Sequence, residues 1–305
     1  MDGLILVDKP PNITSHDAVL GVRRILRTPR VGHFGTLDPM ATGLLLVAVG
    51  TATKLFPFFS RQDKDYSGRI RLGFSTDSYD ATGNPTSAEA ARLPEAVEVA
   101  VAMSKFSGKI EQVPPPYSAK KLSGRPIYKW ARANKPVSLR PVTVLIHSFD
   151  LKSYIPPYVD FESRCSSGTY IRSLAHELGQ ALGCGAHLAA LRRRASGAHL
   201  VAEARSLAEI ERLAGEGKTA EFLIPLEGLL GGLPRAILKE SGGRGLQKGR
   251  PLPAEQIEHI FAPASGRPPG AESEGVWRVF TSRGKLIALA KASAPDRPLV
   301  PFIIF

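Results

Sequence analysis

The chain has 305 residues, of which 43% are hydrophobic, enough for one large domain or for two domains with a real core. No apolar run approaches the roughly 20 residues of a membrane-spanning helix, and the N-terminus lacks the pattern of a signal peptide. We therefore expect a cytoplasmic protein without a membrane contact. The two cysteines lack Cys-x-x-Cys spacing and give no metal framework, and His176-Glu177 lacks the second histidine of a zinc helix because Gln180 stands there.

The formal net charge of +12 predicts a polyanionic partner, most often a nucleic acid. The charge is uneven, because residues 105–140 hold nine Lys and Arg against one acid, Glu111. Basic groups neutralise phosphates and aromatic rings stack on unpaired bases. The alternative is a solvated basic face with ordinary core aromatics. The aromatic residues interleaved with these charges are Phe106, Tyr117, Tyr128 and Trp130.

In chain order, residues 3–8 alternate as an opening strand. Ser15 is expected to cap a helix that ends near Leu26. The apolar run 44–49 predicts a buried strand or the start of a helix, and alternation over 66–74 predicts a half-buried strand. The further predicted elements are a helix over 89–105, a basic, proline-rich excursion over 113–140, strands over 142–151 and 158–165, and a helix over 170–182 that Gly183 ends.

The composition changes after about Leu230. Residues 228–234 combine glycine, leucine and proline, which predicts a linker. The rest of the chain holds short strand candidates and one stretch, 265–275, rich in Pro, Gly and Glu, that predicts a mobile loop. The strand candidates are 276–281, 285–290 and 299–305.

The segment 32–45 carries one carboxylate, Asp38, between a glycine-rich turn and the apolar run. Pro39 fixes the chain directly after Asp38, and a carboxylate on such a rigid loop is suited to act as a nucleophile or a base. The alternative, favoured by spacing alone, is that Asp38 caps a turn or helix, since Asp-Pro is a common turn pair. The segment lacks the order of a phosphate-binding loop and of a dinucleotide fingerprint.

This stretch resembles the Asp-bearing motif of the pseudouridine synthases, specifically of the bacterial-type tRNA pseudouridine-55 synthases, the tRNA pseudouridine synthase B family. Further segments similar to motifs of that family stand in the same order, and together they cover roughly residues 3–197. A chance match to one motif is plausible, but a match to the ordered set is not. The segments are 6–15, 64–66, 72–83, 114–121, 124–128, 165–174 and 187–193.

The resemblance implies an α+β fold. It would consist of a mixed, largely antiparallel sheet flanked by helices over residues 1–230, with a basic RNA-gripping insertion at about 105–140. A small β-rich, PUA-like RNA-binding domain would follow over residues 231–305. The implied activity is isomerisation of uridine to pseudouridine at position 55 in the T-arm of tRNA. This reaction exchanges a C–N for a C–C bond without net redox change, so no cofactor is expected. The expected partner is the T-arm stem-loop, with a monomeric enzyme and no obligatory protein partner.

The resemblance also assigns the principal site residues. Asp38 would be the catalytic carboxylate, acting either as a nucleophile at C1′ or as a base that starts elimination, and Arg172 would pair with it. Tyr66 would stack on the target uracil, and its hydroxyl could help to deprotonate C5. Tyr170 and Leu191 would wall the base. The alternatives are a helix-surface role for Arg172 and core positions for Tyr66 and Leu191.

Other positions would meet the RNA beyond the target base, which must leave its stack to reach the pocket. By resemblance, His33 would enter the space that the flipped base leaves or stack within the RNA loop, and Asp80 would read an extruded neighbouring base. The alternative for His33 is a solvent histidine. Lys9 belongs to a group of cations suited to phosphate contacts, although each alone is more often a surface charge. The group is Lys9, Lys64, Lys120, Lys121, Arg192 and Arg193.

Two other functions are open from the sequence. The first is a non-catalytic RNA-binding or RNA-folding factor that uses the same groove. The second is a guide-dependent pseudouridine synthase that acts inside a ribonucleoprotein.

Overall fold

A computed structural model gives two β-sheets, with helices packed against the larger one. It describes residues 1–117, 121–122, 125–126, 140–240, 243, 245–261, 275–292 and 298–305. Most of the predicted excursion over 113–140, and the predicted mobile loop over 265–275 except for Gly275, lie outside the described residues.

The strands follow one another along the chain from β1 to β17. They are β1 Gly3–Lys9, β2 Val31–His33, β3 Thr42–Val49, β4 Lys64–Leu72, β5 Gly108–Gln112, β6 Lys121–Leu122, β7 Arg125–Pro126, β8 Val142–Ile155, β9 Tyr158–Cys165, β10 Ala186–Ser196, β11 His199–Leu200, β12 Leu223–Pro225, β13 Arg235–Leu238, β14 Ile257–Phe261, β15 Val276–Phe280, β16 Leu286–Lys291 and β17 Val300–Ile304.

The large sheet has the strand order β12-β1-β3-β10-β4-β9-β8-β5, and β2 and β11 pair at its side with β3 and β10. Its neighbouring strands are antiparallel, except that β3 and β10 run parallel. This is the mixed, largely antiparallel sheet that was predicted. The central strands β3, β10 and β4 carry residues around the candidate site. The site is therefore built on the middle of the sheet, where each strand is paired on both sides.

The described helices are α1 Ser15–Leu26, α2 Phe56–Ser60, α3 Ala96–Ser104, α4 Ile171–Ala181 and α5 Leu207–Gly215. The first was predicted at the right place, but its cap was not. Thr14, rather than Ser15, caps α1: its hydroxyl accepts from Asp17 N at 3.0 Å, and the Asp17 carboxylate accepts from Thr14 N at 2.8 Å. This reciprocal capping box leaves the buried Ser15 free for another contact.

The helix predicted over 89–105 is shorter in the structure, because α3 begins only at Ala96. Pro94 explains the difference, since it has no N–H to donate and disfavours a helical conformation at Leu93. Glu95 then caps the helix, with its backbone N–H donating to the carboxylate of Glu98 at 2.6 Å.

Strands β1 and β3 are buried on both faces. Alternate residues such as Ile5 and Leu45 face a core shared with α1, α3, α4 and α5, and the residues between them, such as Leu4 and Leu44, face a second core. The apolar run 44–49 is therefore a strand without a polar face.

The second core joins the large sheet to the C-terminal one. The C-terminal sheet has the order β14-β13-β15-β16-β17, which confirms the three strands predicted after residue 275. Its Phe280 and Leu289 belong to the same buried cluster as Leu4 and Leu44. Leu229 and Leu233, in the segment predicted as a linker, are buried in this cluster too, because packing their apolar side chains is more favourable than exposing them.

Two glycines set how closely the elements around the site approach. Gly43 has φ +97°, and a Cβ there would lie 2.3 Å from Arg193 O, where β3 meets β10. A Cβ on Gly179 would lie 2.1 Å from Ala186 N, where α4 meets β10. Within the described ranges, no helix is long and apolar enough to cross a membrane.

We predict that Gly179→Ala lowers the free energy of unfolding by about 1–3 kcal/mol, the usual cost of overpacking. The added methyl must push α4 away from the backbone of β10, and α4 cannot absorb this by moving a side chain. Gly215→Ala is the matched control, since Gly215 is helical and a Cβ there meets nothing within 4 Å. Urea denaturation measures both changes, and equal values for the two variants would contradict the prediction.

Candidate active site

The loop between β2 and β3 presents Asp38. Ser15 holds this loop from α1: its hydroxyl accepts from Leu37 N at 2.8 Å and donates to Leu37 O at 3.0 Å. On the other side of Asp38, the carbonyl of Pro39 accepts from Asn12 N at 2.9 Å. The loop is thus tied to neighbouring segments directly before and directly after the carboxylate.

Arg172 pairs with Asp38 through a two-pronged ion pair. Arg172 Nε donates to Asp38 Oδ2 at 2.9 Å, and Nη2 donates to Oδ1 at 3.0 Å. The arginine lies in the first turn of α4 and is only 4% exposed. This parallel geometry fixes both carboxylate oxygens. The predicted helix-surface alternative for Arg172 is therefore wrong.

Further oxygens surround the same guanidinium. Arg172 Nη1 donates to Ser78 O at 2.9 Å and Nη2 to Tyr117 O at 2.8 Å, and Asp80 Oδ2 lies 3.5 Å from Nη1. Asp80 is itself buried, and its Oδ1 accepts from the hydroxyl groups of Ser78 and Thr82. In this structure Asp80 is buried and supports Arg172, and its reading of an extruded neighbouring base stays a prediction.

The turn that carries Ser78 and Asp80 is attached to α4 by an aromatic stack. Tyr79 adopts φ +64°, a conformation rare for a bulky residue. Its ring lies 3.8 Å from the ring of His176, with 8° between the planes. Because His176 stands one helical turn after Arg172, the stack ties the turn to the helix that bears the arginine.

Asp38 and Arg172 lie in a cleft of about 240 Å³, which accommodates a single nucleobase. The predicted base-facing residues Tyr66, Tyr170 and Leu191 all line it. Tyr66 and Leu191 are also largely buried, at 9% and 8% exposure, so the core and the cleft-lining interpretations hold together for these two residues.

Burial raises the pKa of the Tyr66 phenol above its ordinary value, and the charge of Arg193 opposes the rise. The phenol is therefore protonated at neutral pH. Its ring can form a wall of the cleft directly. Its hydroxyl can accept a proton from C5 only if it transfers its own proton to another group.

Residues at the start of the basic insertion are attached to α4. The Gln112 side chain accepts from Tyr170 N at 2.8 Å and donates to Tyr170 O at 3.1 Å. Ser173 Oγ donates to Val113 O at 2.8 Å. Together with the Arg172–Tyr117 hydrogen bond, these contacts connect the insertion to the helix that holds the arginine.

Lys9 is placed differently from the prediction. It is fully buried, and its Nζ donates to the carbonyls of Pro10, Ile13 and Pro39. Burial lowers the pKa of Lys9 to about 8, although the charge of Asp38 opposes the shift. An enclosed ammonium group with three acceptors cannot reach an RNA phosphate. Lys9 therefore braces the loop that carries Asp38.

The other cations of that group that the structure describes with their side chains also make internal contacts. Lys64 donates to the carbonyls of Ser60 and Gln62, and the buried Arg193 donates to Leu44 O at 2.7 Å. Arg192 makes a two-pronged pair with Asp8 at 2.8 and 3.0 Å. Lys120 and the side chain of Lys121 lie outside the described residues.

His33 ends β2 and is half-buried. Burial, with the charges of Arg193 and His16, lowers its pKa below the ordinary value, which keeps the imidazole neutral at pH 7. It does not line the cleft around Asp38, and its role beside a flipped base stays a prediction.

Sequence reasoning missed the supporting residues. Ser15 was interpreted as a helix cap, Arg193 as a phosphate contact, and Gln112 was not singled out. No local pattern identifies them, because each acts on a residue far away in the chain. The one available signal was that Ser15 and Arg193 lie inside motifs of the resemblance.

Comparisons with known proteins show the family of this chain. Residues 23–171 match the model of the N-terminal domain of TruB family pseudouridylate synthases, and residues 172–231 match that of the tRNA pseudouridylate synthase B C-terminal domain. The chain is similar to tRNA pseudouridine synthase B of Solibacter usitatus, with 40% identity over 97% of both chains. It is also similar to that of Geobacter sulfurreducens, with 42% identity over 85% of both chains.

Solved structures give the same picture. The chain is similar to a crystal structure of the archaeal box H/ACA sRNP Nop10-Cbf5 complex, with a TM-score of 0.70 and 25% identity over 99% of this chain and 84% of that chain. A Cbf5-Nop10-Gar1 complex gives a TM-score of 0.71 and 26% identity over the same shares.

The buried lysine predicts a pH dependence of stability. The pKa of Lys9 is about 8 in the folded protein against an ordinary value of 10.5. Between these pH values the unfolded chain binds more protons than the folded one, so stability rises with pH. We predict that the free energy of unfolding of the wild type, minus that of Lys9→Met, increases between about pH 7.5 and about pH 9.5 by on the order of 1–2 kcal/mol.

Urea denaturation at the two pH values measures this double difference. Lys105→Met, at an exposed lysine, is the control and should give a difference that does not change with pH. A flat or falling difference for Lys9→Met would show that Lys9 is not a lysine with a lowered pKa.

Proposed function

Because this chain belongs to the TruB family of pseudouridylate synthases, which isomerise uridine to pseudouridine in tRNA, we propose that its target is the T-arm uridine at position 55 and that Asp38 is the essential carboxylate. The observation that carries the proposal is the Asp38–Arg172 ion pair, with distances of 2.9 and 3.0 Å, in a cleft walled by Tyr66 and Leu191. A single carboxylate with a fixed orientation beside a base-sized cavity suits chemistry at a glycosidic carbon.

The reaction exchanges two bonds of one nucleoside. The N1–C1′ bond breaks, the freed base turns within the cleft, and a C5–C1′ bond forms. C5 then loses its proton, and N1 ends with a proton. No electron leaves or enters, so the side chains must only orient the base, stabilise charge and move protons.

Asp38 can serve either of two routes. As a nucleophile it would attack C1′ and hold the sugar while the base turns. As a base it would remove a proton from the sugar and start elimination to a glycal. In both routes the two-pronged contact with Arg172 holds the carboxylate in one orientation, which lowers the entropic cost of reaching the reactive geometry.

The walls of the cleft keep the detached base near the sugar. The ring of Tyr66 offers an aromatic face and Leu191 an apolar one, so the base can turn without meeting strong hydrogen-bonding groups on these sides. A uridine inside a folded RNA must leave its stack to enter, and the energy for this step comes from RNA contacts elsewhere on the protein.

We propose that residues 1–230 form the catalytic domain and that residues 231–305 form a PUA-like domain that binds RNA. The basic insertion at about 105–140 would grip the T-arm from the other side, which its composition of nine cations against one acid supports. The role of His33 beside the flipped base belongs to the same proposal. The monomeric state and the cytoplasmic location stay predictions.

A guide-dependent synthase is the second candidate, because the similar Cbf5 structures are complexes with protein partners named Nop10 and Gar1. An RNA-folding factor without turnover is the third. Activity on a purified tRNA transcript, without guide RNA or another protein, separates the proposed enzyme from both.

We predict that wild-type protein releases tritium from unmodified tRNA that carries uridine labelled at C5, and that Asp38→Asn does not. The amide keeps the size of the carboxylate but can act neither as the nucleophile nor as the base, so turnover should fall by at least roughly a thousandfold while tRNA affinity changes little. Asp150→Asn, at an exposed strand position, is the control and should keep wild-type activity. Near wild-type release by Asp38→Asn would exclude Asp38.

We also predict that Arg172→Lys lowers kcat roughly tenfold to a hundredfold and leaves tRNA affinity unchanged. One ammonium group cannot hold both oxygens of Asp38 and the carbonyls of Ser78 and Tyr117 at once, and a misplaced catalytic group costs about this much. Arg164→Lys, at a side chain 60% exposed, is the matched control. Multiple-turnover kinetics at saturating tRNA and filter binding measure the two quantities, and a kcat within a factor of two of wild type would refute the assignment.

A further inference from the structure

Two arginines stand side by side on the C-terminal sheet. Arg235 on β13 and Arg278 on β15 are register partners in a parallel pair, so their side chains leave the same face. Both guanidinium groups lie over the ring of Phe280, at 4.5 Å for Arg235 and 5.5 Å for Arg278. A shared ring therefore holds two like charges close together.

These charges lack an acidic partner in the part of the chain that the structure describes. Neither arginine belongs to an ion pair there, and the Nε of each is buried without a hydrogen-bond acceptor. Burial lowers the pKa of Arg278, and the neighbouring charge of Arg235 lowers it further. Both arginines are half-buried, and cations that lose part of their hydration normally have counter-charges, so this pair can bind an anion from outside.

The pair lies at the junction between the two sheets. Arg278 Nη1 donates to Leu229 O at 3.2 Å, and Arg278 N donates to Pro234 O at 2.9 Å. Phe280 beneath the pair belongs to the core that joins the sheets. An anion bound here would contact the C-terminal sheet beside the segment that connects it to the catalytic part of the chain.

The outer rim of the pair is apolar and exposed. Phe261 on β14 is 49% exposed, and its ring lies 5.7 Å from the guanidinium carbon of Arg235. Cations next to an exposed aromatic ring favour a nucleic acid over a small free anion, because a nucleic acid strand offers phosphates together with the flat faces of its bases.

We propose that Arg235 and Arg278 form a binding site for a backbone phosphate of the tRNA, separate from the cleft around Asp38. The arginine fork suits phosphate oxygens, which accept several hydrogen bonds in one plane. The site deepens the proposed function and rests on it, since it assigns part of the tRNA affinity to two named residues of the C-terminal sheet. It also gives these half-buried charges a counter-charge, which the described part of the chain does not supply.

The test is the salt dependence of binding to a full-length, unmodified tRNA transcript. Asp38→Asn serves as the background, so that no turnover occurs during the measurement. The variants are Arg235→Gln, Arg278→Gln and the double substitution. Arg250→Gln, at an exposed arginine of the same part of the chain, is the control for the loss of one charge.

Loss of one phosphate contact should make the negative slope of log affinity against log salt shallower by about 0.9, which corresponds to roughly eightfold weaker binding at 0.1 M salt. The double variant should show this loss, and Arg250→Gln should not. In the active background, KM should rise and kcat should stay at the wild-type value. A slope and an affinity equal to those of Arg250→Gln would overturn the site, as would lower thermal stability with unchanged binding, which would mean a purely internal role.

If the glutamine variants do not fold, Arg235→Lys and Arg278→Lys replace them. These keep the charge and remove the fork, so a phosphate site predicts an unchanged slope with affinity lowered by a factor of roughly two to five. Affinity equal to wild type would overturn the proposal.

Wild-type tritium release separates this proposal from the proposed function. Tight tRNA binding without tritium release would refute the isomerase assignment. The salt dependence of tRNA binding would then still decide whether the arginine pair binds a phosphate. Release with an unchanged slope in the double variant would refute the arginine site alone.

Discussion

The buried guanidinium of Arg172 is the constraint on which the rest of the site depends. Removing an arginine from water is expensive unless its hydrogen-bond donors are satisfied. Here the acceptors come from separate parts of the chain: the carboxylate of Asp38, the carbonyl of Ser78 and the carbonyl of Tyr117. The loop after β2, the turn after β4 and the start of the insertion must all reach α4 before the charge is compensated. Assembly of the candidate site is therefore coupled to the folding of these segments.

The buried cations around the cleft stabilise the protein's own backbone and are not available to bind RNA. Lys9 and Arg193 are fully buried, and they donate to carbonyls of the loop and strand on either side of Asp38. Their positive charges add to the potential at the carboxylate, but their hydrogen bonds serve the scaffold. The net charge of +12 thus overstates the number of groups that can reach a phosphate, and the insertion and the C-terminal sheet become the more important candidates for RNA contacts.

The junction between the sheets is a packed core. Strands β1 and β3 are apolar on both faces, and the second face is covered by Phe280, Leu286 and Leu289 of the C-terminal sheet. Removing that sheet would expose a large apolar surface on the strands beside the catalytic loop. The C-terminal part of the chain therefore contributes to stability whatever it contributes to binding, and the proposed arginine pair lies at the edge of this same contact.

Much of this protein was determined by the sequence alone. The order of the motifs indicated the family, and the apolar periodicities gave β4, α1 and α4 but left β3 open between a strand and the start of a helix and did not predict β10. The resemblance identified Asp38, Arg172, Tyr66 and Leu191, which the fold brings to one cleft. Local signals were sufficient there because strand alternation and helix periodicity depend on neighbouring residues. Two predictions were wrong although the deciding signal was local: Pro94 delays the start of α3, and Thr14 caps α1 through its capping box with Asp17.

Apart from the pairing of Arg172 with Asp38, which the resemblance implied, only the tertiary structure decided the partners of the charged groups. Nothing near Lys9 in the sequence shows that it is enclosed by carbonyls, and nothing near Asp80 shows that it lies behind Arg172. The same holds for Arg235 and Arg278, which are 43 positions apart and meet only because β13 and β15 are paired. A charge in a sequence is compatible with solvent, with a phosphate or with a buried partner. Which of these it meets depends on the residues that folding brings within a few ångströms, because both desolvation and Coulomb attraction act over that distance.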